Sequence, residues 1–144
     1  MSDVLSREAI VLGGQAKDRD AAITEAGRLL VAAGAVDEAY VDAMHERETS
    51  VSTFMGNGLA IPHGTNEAKA LIRHTAISFI RYDEPIDWKG SPAKYVVGIA
   101  GAGNDHLALL ARIAETFTNA ERVEALRAAR TPEEVLAVLH AVRV

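Results

Sequence analysis

Residues 58–65 are the stretch of sequence that decides the fold, and they read Gly58-Leu59-Ala60-Ile61-Pro62-His63-Gly64-Thr65. They close a longer segment, residues 49–65, in which glycine recurs at positions 56, 58 and 64. Pro62 fixes its own φ angle and disfavours helical geometry for Ile61 before it. No helix can be built through such a segment, so we expect it to separate a helical region from the strands on its C-terminal side.

The histidine of this stretch, His63, is the first candidate for chemistry. It lies at the end of a short apolar run, beside a stiff proline and a glycine that adds no side-chain bulk. Neutral imidazole is abundant near pH 7, its nitrogen is a competent nucleophile, and a hydrogen bond can hold the nitrogen that does not attack. A turn histidine that simply satisfies backbone groups is the alternative at this point.

His106 is the second candidate. It follows the glycine-containing sequence 101–105 at a predicted change from strand to helix, where free N–H groups and the helix dipole attract phosphate. The spacing Gly101-x-Gly103-x-x-His106 is a weak match to a dinucleotide fingerprint, because histidine replaces the third glycine. A capping histidine is the other alternative. We expect His45 to lie on a solvated helix face and His140 to compensate a helix dipole.

Composition narrows the possible functions. The 144 residues carry a formal net charge of −5 without a dense basic run, so no nucleic-acid footprint is expected. There is no cysteine, which excludes disulfides, zinc–thiolate sites and thiol nucleophiles. Hydrophobic residues make up 49%, and the length predicts one domain over residues 1–144. Residues 1–5 lack the features of a signal peptide, so we expect a cytoplasmic protein.

Apolar periodicity and capping residues predict strands that alternate with helices. The first predicted elements are a strand over 9–12, a helix capped by Asp18 or Asp20 and ended by Gly34, and a helix from Asp37 to about Arg47-Glu48. Two strands follow over 75–82 and 95–100, separated by a loop with Pro85, Gly90 and Pro92. Three helices complete the chain: one after His106 with Leu107, Leu110, Ala111, Ala114 and Phe117 at helical spacing, one capped by Asn119, and one begun by Thr131-Pro132. This interleaving predicts an α/β sandwich with a mixed β-sheet.

Four blocks together resemble one known family. They are Arg47-Glu48, Thr53-Phe54-Met55-Gly56, Ala60-Ile61-Pro62-His63-Gly64-Thr65 and Gly103-Asn104-Asp105-His106-Leu107. Their order and spacing are similar to the A component (enzyme IIA) of the mannitol/fructose-class bacterial phosphoenolpyruvate-dependent sugar phosphotransferase system, with residues 62–65 and 103–107 closest to the mannitol-specific branch. The resemblance implies a three-layer α/β sandwich, in which helices flank a mixed β-sheet on both faces.

The resemblance also implies a mechanism. His63 would accept a phosphoryl group from the histidine phosphocarrier protein HPr and pass it to a cysteine of the enzyme IIB component, which is linked to a membrane IIC component. His106 and Arg47 would act on the charge of the phosphoryl group, and Thr53, Gly64 and Thr65 would contact it. No metal and no cofactor is implied, and the transported substrate would be a sugar alcohol, which the closest branch suggests is mannitol.

Two alternative functions use the same residues. In the first, phosphorylation of His63 is a regulatory signal to a partner protein, as in the fructose and nitrogen-related branches. In the second, His63 and His106 are ligands of a metal-dependent hydrolase. The second lacks a third ligand at a recognisable spacing.

Overall fold

A computed structural model describes residues 4–139. The strands are β1 (Ile10–Val11), β2 (Phe54–Gly56), β3 (Leu59–Ala60), β4 (Ala76–Ile77), β5 (Phe79–Trp88), β6 (Ser91–Val96) and β7 (Ile99–Ala100). The α-helices are α1 (Arg19–Ala32), α2 (Glu38–Ser50), α3 (Asp105–Phe117), α4 (Ala120–Ala128) and α5 (Pro132–Val138). Short 3₁₀ helices cover Arg7–Ala9 and Glu67–Leu71. The expectation for His140 lies outside the described residues.

The central layer is a mixed five-stranded sheet in the order β1-β5-β6-β3-β2. The β1–β5 and β3–β6 pairs are parallel, whereas β5–β6 and β2–β3 are antiparallel. Strands β4 and β7 pair in the same register as β5 and β6, and the Ser78 N–H donates to the Gly98 carbonyl between them. The two ladders therefore form one long antiparallel ribbon through the molecule.

Helices cover both faces of this sheet, so the predicted three-layer α/β sandwich is confirmed. Consecutive strand residues point to opposite faces. Phe79 packs with Ile113 of α3 and the other residues of one apolar cluster, while the adjacent Ile80 packs with Ile23 of α1 in a second cluster. Helices α4 and α5 add Leu126 and Val135 to the first cluster. The two clusters are the two halves of the core.

The helix signals in the sequence hold at most termini. The Asp18 carboxylate accepts from the Ala21 N–H, Asn119 accepts from Arg122, and Thr131 accepts from Glu134. Gly34 has a φ of 77°, the left-handed geometry expected just after a helix. Two details of the prediction are wrong. Helix α2 continues to Ser50, and α3 leaves Leu107 exposed, because Leu109 and Ile113 carry its buried face.

The predicted loop around Pro85 and Pro92 is also wrong, since both prolines lie within the β5–β6 hairpin. The hairpin turns at Lys89-Gly90, where both φ angles are positive. Pro85 falls where the register between the strands shifts, and Pro92 lies outside the part of β6 that pairs with β3. At both positions the sheet therefore needs no hydrogen bond from a backbone N–H, the group that proline lacks.

Candidate functional site

His63 lies where the chain leaves β3 and runs beside β7. It forms a parallel bridge with Ile99, whose N–H donates to the Pro62 carbonyl at 3.0 Å. The turn that leads into this stretch is Asn57-Gly58, with φ angles of 54° and 74°, and this residue pair is typical of a two-residue hairpin. His63 is thus held by the edge of the sheet, at the end of a stretch of chain whose path is set by backbone hydrogen bonds.

One nitrogen of the His63 ring is occupied by the backbone. Nδ1 lies 2.8 Å from the Ile61 carbonyl oxygen. A carbonyl oxygen can only accept, so the proton of a neutral ring resides on Nδ1 and the lone pair resides on Nε2. Burial is the main cause that lowers the pKa of His63, and the nearby Arg47 charge adds to it, against the Ile61 hydrogen bond. The ring is therefore kept neutral, with Nε2 as its nucleophilic atom.

His106 faces His63 across the site. The ring centroids are 4.8 Å apart, although the sequence separates the two residues widely. His106 is in the first turn of α3, directly after the 101–104 loop. Burial, then the proximity of His63 and of the Lys69 charge, lowers the pKa of His106 to about 4. A neutral imidazole at this place can donate one N–H to an anion.

The 101–104 loop is held tightly against α3. A Cβ atom added at Gly101 would lie 2.6 Å from His106 Cα, so only glycine fits here without a shift of the backbone. The Thr75 hydroxyl donates to Asp105 at 2.5 Å and accepts from the Ala102 N–H. These contacts fix the start of α3 relative to β4, and with it the position of His106.

The two histidines line a cleft of about 430 Å³. Arg47 from the end of α2, Lys69 from the second 3₁₀ helix, and Gly64 and Thr65 from the turn also line it. The Arg47 guanidinium donates to the Val51 carbonyl at 2.7 Å. The carboxylates of Glu46 and Glu67 line the cleft as well. The charges that act on His106 are those of Lys69 and Arg47, so the part of the cleft beside the two neutral imidazoles is suited to a small anion.

The structure does not bring Thr53 into this cleft, which corrects the expectation that its hydroxyl contacts a phosphoryl group. Thr53 is buried, and it gives both its hydroxyl and its N–H to the Glu48 carboxylate, at 2.6 and 3.0 Å. Trp88 Nε1 donates to the same carboxylate at 3.0 Å. The role of Thr53 is therefore to satisfy a buried acidic side chain beside the site.

Sequence reasoning missed three residues that build the site. Glu48 anchors the end of α2, Lys69 brings a second cation to the cleft, and Tyr40 bonds the turn after His63. Glu48 was recognisable as part of the Arg47-Glu48 block, but no local pattern points to Tyr40 or Lys69. His45 is also misassigned, since it is partly buried and bonds the Thr24 hydroxyl at 2.8 Å.

The structure also bears on two further features, a membrane-spanning helix and a cluster of metal ligands. Among residues 4–139, no helix combines the length and the apolar character needed to cross a bilayer. Within the same range, no three or more His, Asp or Glu side chains gather closely enough to hold a metal ion.

Comparison with known proteins agrees with the fold and the cleft. Residues 3–142 match the family described as "Phosphoenolpyruvate-dependent sugar phosphotransferase system, EIIA 2". The mannitol-specific phosphotransferase enzyme IIA component of Halalkalibacterium halodurans is 48% identical over 136 residues, which is 94% of each chain. The chain belongs to this EIIA type 2 family, and the resemblance seen in the sequence is confirmed.

Solved structures give the same result. The chain is similar to enzyme IIA in the complex of IIA mannitol and phosphorylated IIB mannitol from Escherichia coli, with a TM-score of 0.87, 33% identity and coverage of 94% and 96% of the two chains. It is also similar to the nitrogen regulatory protein IIA-Ntr of Neisseria meningitidis, with a TM-score of 0.83, 30% identity and the same coverage. The protein is thus a phosphotransferase component with an α/β sandwich fold.

Proposed function

We propose that this protein is a phosphocarrier that accepts a phosphoryl group on Nε2 of His63 and passes it to a cysteine of an enzyme IIB component. The observation that carries the proposal is the bond between Nδ1 and the Ile61 carbonyl, which leaves Nε2 as the free nitrogen of a ring in a cleft that Arg47, Lys69 and His106 also line. Neither a flexible nor a protonated imidazole would be as good a nucleophile.

The two transfers balance without a metal or a cofactor. In the first, the Nε2 lone pair attacks phosphorus, the N–P bond of phosphorylated HPr breaks, and its electron pair stays on the HPr imidazole. In the second, a cysteine thiolate of enzyme IIB attacks the same phosphorus, and the Nε2–P electron pair returns to His63. Because each step exchanges one bond to phosphorus for another, the protein mainly has to position the groups and balance charge.

The cleft residues divide this work. Arg47 and Lys69 would balance the negative oxygens of the transferring group, and His106 would donate a hydrogen bond from its neutral ring. Thr65 would offer a hydroxyl, and Gly64 would leave room for the group beside His63. Support for these roles comes from their shared cleft and from the influence of the Arg47 charge on the pKa of both histidines, which it lowers.

Partners would dock on an apolar rim around the cleft, which we define as Val51, Leu71 and Leu107. These residues are 64%, 42% and 75% exposed, and each lies in or next to a segment that lines the cleft. Exposed apolar side chains grouped together on a protein surface mark interaction sites. The apolar run 59–61 before His63 is buried, so it does not contribute to this surface.

Transport of a sugar alcohol, mannitol, is favoured over a regulatory role. The relative from Halalkalibacterium halodurans is named mannitol-specific and is 48% identical, whereas the nitrogen regulatory protein is 30% identical. The solved structures of IIA mannitol and of the nitrogen regulatory protein are both similar to this chain in fold, so sequence identity to the relatives is the discriminating observation. In this proposal the protein works in the cytoplasm, where phosphoenolpyruvate supplies the phosphoryl group, beside a membrane IIC component.

The test is phosphorylation with phosphoenolpyruvate, the first enzyme of the system and HPr, followed by intact mass and peptide mapping. We expect one phosphoryl group, on His63, that is labile in acid and stable in base. His63→Ala should accept none, and His74→Ala is the matched control because His74 is exposed and does not line the cleft. Uptake by His63→Ala at the normal rate would exclude the proposal.

A further inference from the structure

The hydroxyl group of Tyr40 joins the two pieces of chain that flank His63. It accepts a hydrogen bond from the Gly64 N–H at 2.9 Å and donates one to the Ile99 carbonyl at 2.8 Å. Gly64 directly follows His63, and Ile99 is the residue that pairs with His63 across the sheet. A single buried hydroxyl therefore holds the turn that carries the nucleophile and the strand against which it rests.

The ring of Tyr40 is packed as closely as its hydroxyl is bonded. Tyr40 is 3% exposed, and a Cβ atom added at Gly64 would lie 2.6 Å from its Cε1 atom. Burial raises the pKa of Tyr40, so the hydroxyl keeps the proton that it donates to Ile99. The absence of a side chain at Gly64 is thus explained by Tyr40 as well as by space for a phosphoryl group.

Tyr40 also sets the position of Arg47. The two residues are on α2, two turns apart, so they lie on the same face of the helix. Both line the cleft. Because Tyr40 bonds Gly64 and Ile99, it fixes the position of α2 relative to the sheet. It thereby fixes the position of the Arg47 charge relative to His63.

We propose that Tyr40 is a positioning residue for phosphoryl transfer, whose shared hydroxyl aligns His63 with Arg47. The inference rests on the proposed phosphocarrier function, because it concerns the geometry of that reaction. Tyr40 itself bonds backbone groups and forms no bond to the transferring group. Its loss should slow the transfer and disturb the His63 ring, while the acceptor remains His63.

The experiment compares Tyr40→Phe with Tyr82→Phe. Both substitutions remove one buried hydroxyl from the same apolar cluster, but Tyr82 bonds Glu25 and does not line the cleft. Single-turnover transfer from purified phosphorylated HPr should be about tenfold slower or more in Tyr40→Phe, because small misplacements at a reacting centre cost large factors in rate. It should be unchanged in Tyr82→Phe.

A second readout does not depend on transfer. The ¹⁵N chemical shifts of the His63 ring report which nitrogen carries the proton, and we expect them to move in Tyr40→Phe and to stay in place in Tyr82→Phe. Normal transfer together with unchanged His63 shifts in Tyr40→Phe would overturn the inference. If the wild type accepts no phosphoryl group, the proposed function fails and the role of Tyr40 in transfer fails with it, whereas the ring shifts still show whether Tyr40 holds His63 in place.

Hydrogen exchange in the wild type covers the case of a variant that does not fold. The Gly64 amide should be protected to about the same degree as the Ile99 amide, since both are bonded in the structure. Protection of the Gly64 amide supports the hydrogen bond to the Tyr40 hydroxyl on which the inference depends. Exchange of the Gly64 amide as fast as that of an exposed turn would overturn it.

Discussion

The substitution Gly101→Ala tests how strictly the second histidine is positioned. The added Cβ would lie 2.6 Å from His106 Cα and 2.8 Å from His106 N. Both are backbone atoms, so no change of rotamer can relieve the overlap. The start of α3 must move by about 1 Å to restore ordinary contact distances, and His106 moves with it.

This displacement should change both the free energy of unfolding and the rate of phosphoryl transfer. Over-packing of this kind costs about 1–3 kcal/mol in the free energy of unfolding. A misplacement of about 1 Å at a reacting centre can cost up to about a hundredfold in rate, so we expect transfer to His63 to slow by about tenfold to a hundredfold. The measurements are urea unfolding and single-turnover transfer from phosphorylated HPr.

Two further glycines provide the controls. Gly14→Ala would place its Cβ 2.2 Å from Tyr82 Cε1, outside the cleft, and should lower stability while transfer stays normal. Gly13→Ala meets nothing within 4 Å and should change neither. Normal transfer in Gly101→Ala with a loss of stability equal to that of Gly14→Ala would refute the argument that His106 must be held in place.

The remaining predictions concern charge, pH, docking and metal removal. Arg47→Ala should slow single-turnover transfer by about tenfold or more, and Arg47→Lys should restore part of the rate because it returns the charge without the planar fork; equal rates in both variants would contradict this. Because the pKa of His106 falls from its ordinary 6.5 to about 4, the unfolded chain binds its proton first as the pH falls, so the protein should lose stability from pH 6.5 down to pH 4. In His106→Gln the loss in the free energy of unfolding between pH 7 and pH 4.5 should be smaller by ~1–2 kcal/mol, a value reduced because partial exposure screens part of the shift. The same pH dependence of urea unfolding in both proteins would count against this. In Leu107→Asp the transfer rate should saturate only at a higher concentration of phosphorylated HPr, while stability stays unchanged because the residue is 75% exposed. An unchanged dependence of the rate on HPr concentration would remove Leu107 from the rim. Transfer from purified phosphorylated HPr should persist in excess EDTA, and its loss would revive a metal-dependent mechanism.

Local signals in the sequence accounted for much of the fold. Helix starts at Asp18 and Thr131 and the helix stop at Gly34 depend on a side chain and a few neighbouring backbone groups, so short patterns reveal them. The β5–β6 hairpin was less accessible. Pro85 and Pro92 argue locally for a loop, and only the pairing of whole strands shows that both positions can do without an N–H donor.

For the site, the sequence alone indicated His63 as the proposed nucleophile. Pro62, His63 and Gly64 are adjacent, and the carbonyl that holds Nδ1 is only two residues away, at Ile61. Tertiary structure decided the rest. The ring of His106 comes to 4.8 Å from that of His63 because β7 and α3 return beside β3, and Thr53 turns inward because buried Glu48 needs its donors. Contacts of this kind depend on strand register and on the satisfaction of buried polar groups, which are properties of the whole chain and leave no local pattern.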